Sequence, residues 1–63
     1  MKKATKFEQG YICAVSTIHQ MRGGGTHIDE ALRSIGADNI DPRSIDEFDR
    51  PLLLQFQKTG TTM

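Results

Sequence analysis

Gly23-Gly24-Gly25 divides this chain between two segments of helical periodicity. Only glycine enters the left-handed region of backbone space without steric cost, so such a run can end one helix. Thr26 can then open the next by accepting a bond from a free backbone N–H. A helical hairpin is the expected result, in a chain of 63 residues that has room for one domain. At this size only about 60% of the unfolded surface can be buried. Small chains often add a disulfide, a metal or a partner subunit. Cys13 is the single cysteine, which excludes an internal disulfide. Cys13, His19 and His27 lack the paired spacing of zinc motifs, even with Asp29 added. Good helix packing or self-association remains.

The first helix is expected from Thr5. Thr5-Lys6-Phe7-Glu8 has the capping-box form, with Thr5 as N-cap and Glu8 reaching back. Phe7, Tyr11, Ala14, Val15, Ile18 and Met21 then recur on one face of a 3.6-residue helix, widened by Ile12 and Cys13. Cys13 is expected to be a small buried hydrophobe. Gly10 is an internal flaw, about 1 kcal/mol worse than alanine. The second helix is expected from Thr26 to about Ile35, with Thr26-His27-Ile28-Asp29 as a capping box of shorter acid. Ile28, Ala31, Leu32 and Ile35 form its apolar stripe. A loop from Ala37 to Pro42, anchored by Ile40, leads to Ser44-Ile45-Asp46-Glu47, which predicts a short third helix carrying Ile45 and Phe48. Pro51 interrupts it and suits the first turn of another, which carries Leu52, Leu53, Leu54 and Phe56. No convincing strand appears. The fold class read here is all-α: a helical hairpin plus one or two short C-terminal helices, in a single domain 1–63. Residues 1–4 and 59–63 are expected to be disordered.

Eight basic and eight acidic side chains give zero net charge. The first third is basic and the stretch from Asp38 to Asp49 acidic. Duplex binding, by a small DNA-binding regulator, is disfavoured. In a helix-turn-helix the start of the second helix meets phosphates, and here it carries Asp29 and Glu30. An enzyme is not expected either, because Cys13 and His19 face different ways on one helix and a three-helix chain offers little concavity. Lys2 and Lys3 are followed by no apolar run of the signal-peptide kind, and no segment is long enough to span a bilayer. A lone cysteine suits a reducing cytoplasm.

Two binding readings remain. Arg22, Gly24, Gly25, Thr26 and His27 could surround a phosphate at the start of the second helix, giving a binder, or sponge, of nucleotide signals. No Walker pattern supports this. Alternatively, Asp46, Glu47, Phe48, Asp49, Leu53, Leu54 and Phe56 form an apolar cluster beside acids, the composition of a protein-binding surface. No cofactor is implied.

Phe7-Glu8-Gln9-Gly10-Tyr11-Ile12-Cys13-Ala14-Val15 resembles the opening of a group of small phage and prophage proteins. Those proteins continue with a histidine or arginine before a glycine, a Thr-led helix ending in leucine and glycine, and an acidic Asp-Glu-aromatic-Asp motif. Here His19 to Gly25, Thr26 to Gly36 and Asp46-Glu47-Phe48-Asp49 stand in those places. The likeness covers most of residues 7–49 and departs in carrying three glycines where the group usually has one. It implies a phage accessory protein, acting in the cytoplasm of the host bacterium. It implies no established activity; phage accessory proteins of this size often bind and inhibit a host protein, such as a component of anti-phage defence, and that is the action expected here. A homo-oligomer is compatible with that reading, and a membrane partner is not expected.

Overall fold

The computed structural model describes residues 1–62. Three α-helices account for the regular structure: α1 (Lys6–Arg22), α2 (Thr26–Ser34) and α3 (Arg50–Thr59). Two 3-10 turns, Ala37–Asn39 and Pro42–Ser44, lie between α2 and α3. Among the described residues there is no strand. A lone parallel bridge joins Lys2 to Ile40. The all-α fold expected from periodicity is the fold observed.

α1 starts as its sequence dictates. The Thr5 hydroxyl accepts from Glu8 N at 3.1 Å, and the Glu8 carboxylate accepts from Thr5 N at 2.9 Å. The two bonds satisfy amide donors that a helix start leaves without partners. α1 ends at Gly23, whose φ of 82° only glycine holds at ease, and Gly23 N donates to His19 O. Gly25, at φ 150°, turns the chain into α2 and is its N-cap. Thr26 is therefore the first residue of α2, not its cap, and no side chain caps the helix. The shorter capping box does not form because the Asp29 carboxylate is bound elsewhere, to Thr61 and Thr62.

The face that α1 buries is not the face its apolar residues suggest. Ile12 and Val15 enter the core, flanked by Glu8 and Ser16, with His19 half-buried. Phe7 and Met21 stand 72% and 74% exposed, and Ile18, Ala14 and Cys13 are also exposed. Only Tyr11 of the expected stripe, besides Val15, packs against the core. The reason is polar. The capping box draws Glu8 down against the fold, where Lys2 Nζ donates to it at 2.6 Å, and His19 finds Thr62 O at 3.3 Å. With those groups satisfied, the Ile12 side of the helix can be buried without an unpaired polar atom.

α2 buries Ile28 and Leu32, with Ala31 and Ile35 packed beside them, as its stripe predicts. The expected helix at Ser44–Glu47 is absent. Pro42–Ser44 is a 3-10 turn capped by Asp41, and residues 46–49 form a hydrogen-bonded turn. Ser44 does not cap a helix because its hydroxyl donates to Asp41 O and accepts from Ala4 N. The connection between α2 and α3 still supplies Ala37, Ile40 and Ile45 to the core. It is held from α3, which packs chiefly on the two 3-10 turns. Gln57 Nε2 donates to Ala37 O and Ile40 O at 2.9 and 2.7 Å, and the Arg50 guanidinium donates to Pro42 O and Ile45 O, both at 3.0 Å.

Both chain ends are engaged where free tails were expected. Lys2 pairs with Asn39 and Asp41 through its backbone, and Ala4 is buried. Thr59 lies in α3, and Thr62 is buried against α2. Met63 lies outside the described residues.

Leu53 is fully buried whereas Leu54 is 47% exposed. Leu53→Ala should destabilise the protein by about 2–5 kcal/mol, the range for a buried leucine. Leu54→Ala should stay within about 0.5 kcal/mol. Urea unfolding followed by helical circular dichroism measures both.

Candidate functional site

The tri-glycyl loop and its neighbours form the larger hollow. A concavity of about 400 Å³ opens between Ile18 and Arg22 of α1, the three glycines, and His27 and Ile28 of α2. Arg22, Gly24, Gly25 and His27 of the expected anion site thus share one hollow, while Thr26 is exposed and outside its lining. Asp29 does not compete for the start of α2. Its Oδ1 accepts from both the amide and the hydroxyl of Thr62 at 2.7 Å, and its Oδ2 accepts from Thr61 at 3.1 Å. Thr62 Oγ1 accepts from Gly25 N, and Arg33 donates to Gly60 O. Asp29 and Arg33, one turn apart on α2, therefore clasp residues 60–62.

The expected protein-binding cluster is split by the fold. Leu53 and Phe56 are core residues, and Asp49 is buried, so none of the three can meet a partner. α3 turns them inward because Pro51 begins a helix whose Leu52–Leu53–Phe56 side faces the rest of the chain. Asp46, Glu47, Phe48 and Leu54 remain on the surface. Phe48 is 78% exposed, and its backbone is held in a turn. Asp46 Oδ1 accepts from Phe48 N at 2.9 Å, while Asp46 O accepts from Asp49 N and Arg50 N. Asp46 thus builds an Asx turn that sets the backbone from which the Phe48 ring projects. Phe48 forms one lip of a shallow groove of about 180 Å³, between Ser16, His19 and Gln20 of α1 and Pro51, Leu52 and Gln55 of α3.

A third surface was not singled out as a site in the sequence. It is the outward side of α1, where Phe7, Tyr11, Ala14, Ile18 and Met21 follow one another at steps of four, three, four and three. The Phe7 and Tyr11 rings lie 5.9 Å apart. The signal was the same periodicity that was assigned to the core.

Among the described residues, no three metal-ligating side chains converge, and no helix is long and apolar enough to cross a membrane. No protein family, no curated protein and no solved structure matches the chain.

Hydrogen bonds hold three carboxylates below their ordinary range, Asp41 being lowered chiefly by the Arg43 guanidinium and then by Arg43 N. Glu8 is lowered chiefly by the Lys2 ammonium, then by Thr5 N. Asp29 is lowered chiefly by the Thr62 hydroxyl, then by Thr62 N and Thr61, against the opposing effect of burial. A carboxylate whose folded-state pKa is depressed stabilises the fold above its unfolded pKa, and that contribution disappears as pH falls through the folded value. Stability should therefore be level near neutrality and fall below about pH 4. Asp29→Asn should flatten that acid limb and lower the urea midpoint at pH 7. Urea titrations at several pH values measure both effects.

Proposed function

We propose that this chain is a non-enzymatic binding protein that acts by stoichiometric contact with another protein through Phe48, Asp46, Glu47 and Leu54. The observation that carries the reading is the Asx turn that presents Phe48. An aromatic ring 78% exposed on a backbone already held in a turn presents its apolar area without the loop having to be ordered on binding. Central aromatic anchors of this kind dominate protein interfaces. The two flanking carboxylates suit a partner surface in which an apolar socket is rimmed by arginine or lysine. Together with the likeness to small phage proteins, this gives the working role of an accessory protein that binds and inhibits a host protein, such as a defence component, in the bacterial cytoplasm.

Affinity capture from bacterial lysate, followed by titration with the purified partner, tests it. Wild-type protein should bind at a fixed ratio, and Phe48→Glu should weaken binding about 30- to 1,000-fold, an interface hot-spot loss of about 2–4 kcal/mol. Equal binding by Phe48→Glu overturns the assignment.

The hollow at the tri-glycyl loop favours a second reading, a binder of small anions or nucleotides. It brings Arg22 and His27 together over the start of α2, which no side chain caps. On this reading nucleotides raise the thermal midpoint of the wild type and not of Arg22→Ala. No shift with any nucleotide removes it.

A further inference from the structure

Three features of α1 converge on one occupant. Its outward face carries Phe7, Tyr11, Ala14, Ile18 and Met21 at the alternating four-three spacing of a coiled-coil seam, and all are exposed except Tyr11, which is half-buried against the core. Gly10 lies beside the seam, and a side chain built there would meet nothing within 4 Å. A mid-helix glycine weakens a helix, and packing within this chain gives no reason for it. The hollow lined by Ile18, Arg22 and the glycines adjoins the far end of the same face.

We propose that this face binds a second copy of the chain, with the two α1 helices antiparallel about a two-fold axis at Ala14. The operator sets residues whose numbers add to 28 opposite one another. Ala14 meets Ala14 at the axis, where a small residue lets the helices approach closely. Ile18 of each copy fits the notch left by Gly10 of the other. Phe7 reaches Met21 of the second copy and the hollow beside it, a ring-to-thioether contact that both residues favour. Such a patch is complementary to itself, as an isologous dimer requires. The proposal is independent of the Phe48 surface, which stays free in the dimer.

The size of the face agrees. α1 has 17 residues, a length of about 25 Å at the helical rise. A contact along it covers roughly 500 Å² on each copy and about 1,000 Å² in all, the lower bound for a specific interface. That is close to an eighth of the 4162 Å² surface of one chain. The dimer is accordingly a weak one, forming at micromolar concentrations. Lys6 of each copy faces Arg22 of the other at the rim, so added salt should tighten it by screening their repulsion.

Sedimentation equilibrium of the full chain tests the proposal. Between about 1 and 200 µM, the mass should rise from the 7.0 kDa of one chain towards twice that value. Ala14→Glu places two like charges at the axis and should leave a monomer with unchanged helical circular dichroism. Gly10→Leu should raise the thermal midpoint of the dilute monomer, since leucine is the better helix former, yet weaken dimerisation at least tenfold. A monomer throughout the range overturns the proposal. So does a dimer that Ala14→Glu and Gly10→Leu leave intact. In a Cys13→Ser background, ready cross-linking of Phe7→Cys to itself would overturn the antiparallel arrangement.

Discussion

Arg50 and Gln57 fasten the connection between α2 and α3 to the helix that packs on it. They lie seven residues apart, on one side of α3, and between them donate to four loop carbonyls: Ala37, Ile40, Pro42 and Ile45. The connection from α2 to α3 carries three core side chains but little repetitive hydrogen bonding of its own. A buried carbonyl without a donor costs about 1–3 kcal/mol. Ala37 O and Pro42 O also accept from Ile40 N and Ile45 N within the 3-10 turns, so the two long side chains complete the loop's hydrogen bonding and tie Ala37, Ile40 and Ile45 to α3. From the other side the segment that precedes α1 ties in: Lys2 N donates to Asn39 O, and Ala4 N donates to the Ser44 hydroxyl.

The same economy explains the polar residues inside so small a protein. Glu8, Asp29 and Thr62 are buried, and each is bonded. Asp29 and Thr62 join segments more than thirty residues apart, whereas Glu8 closes a short loop onto Lys2 and Thr5. Three helices this short cannot close a core through aliphatic contact alone. Charge-assisted hydrogen bonds to the chain ends, stronger than neutral ones, complete it.

The parts of the fold that were legible in the sequence are those set by local chemistry. The Thr5–Glu8 capping box, the helix break at the glycines, the stripe of α2 and the helix start near Pro51 all follow from neighbours within a few residues. What was not legible depends on remote partners. Ser44-Ile45-Asp46-Glu47 has the local form of a helix start, but Ser44 is taken by Ala4 and Asp41. Thr26-His27-Ile28-Asp29 fails in the same way, because Asp29 is taken by a segment more than thirty residues away. The rotation of α1 has a different cause. Periodicity reports that a helix has an apolar side without reporting what that side meets, and here polar but bonded groups share the core side with Ile12 and Val15. Of the acidic-aromatic cluster, Asp46, Glu47, Phe48 and Leu54 reach the surface, while Asp49, Leu53 and Phe56 do not.

That rotation leaves α1 with a division of labour rare at this length. Ile12 and Val15 belong to the interior, while Phe7, Ala14, Ile18 and Met21 are exposed and lie outside the core cluster. Changes at those outward positions alter what the protein meets without disturbing how it is held together. Recognition can therefore drift under selection while thermodynamic stability stays where it was, a freedom that a minimal domain with every helix face committed does not have.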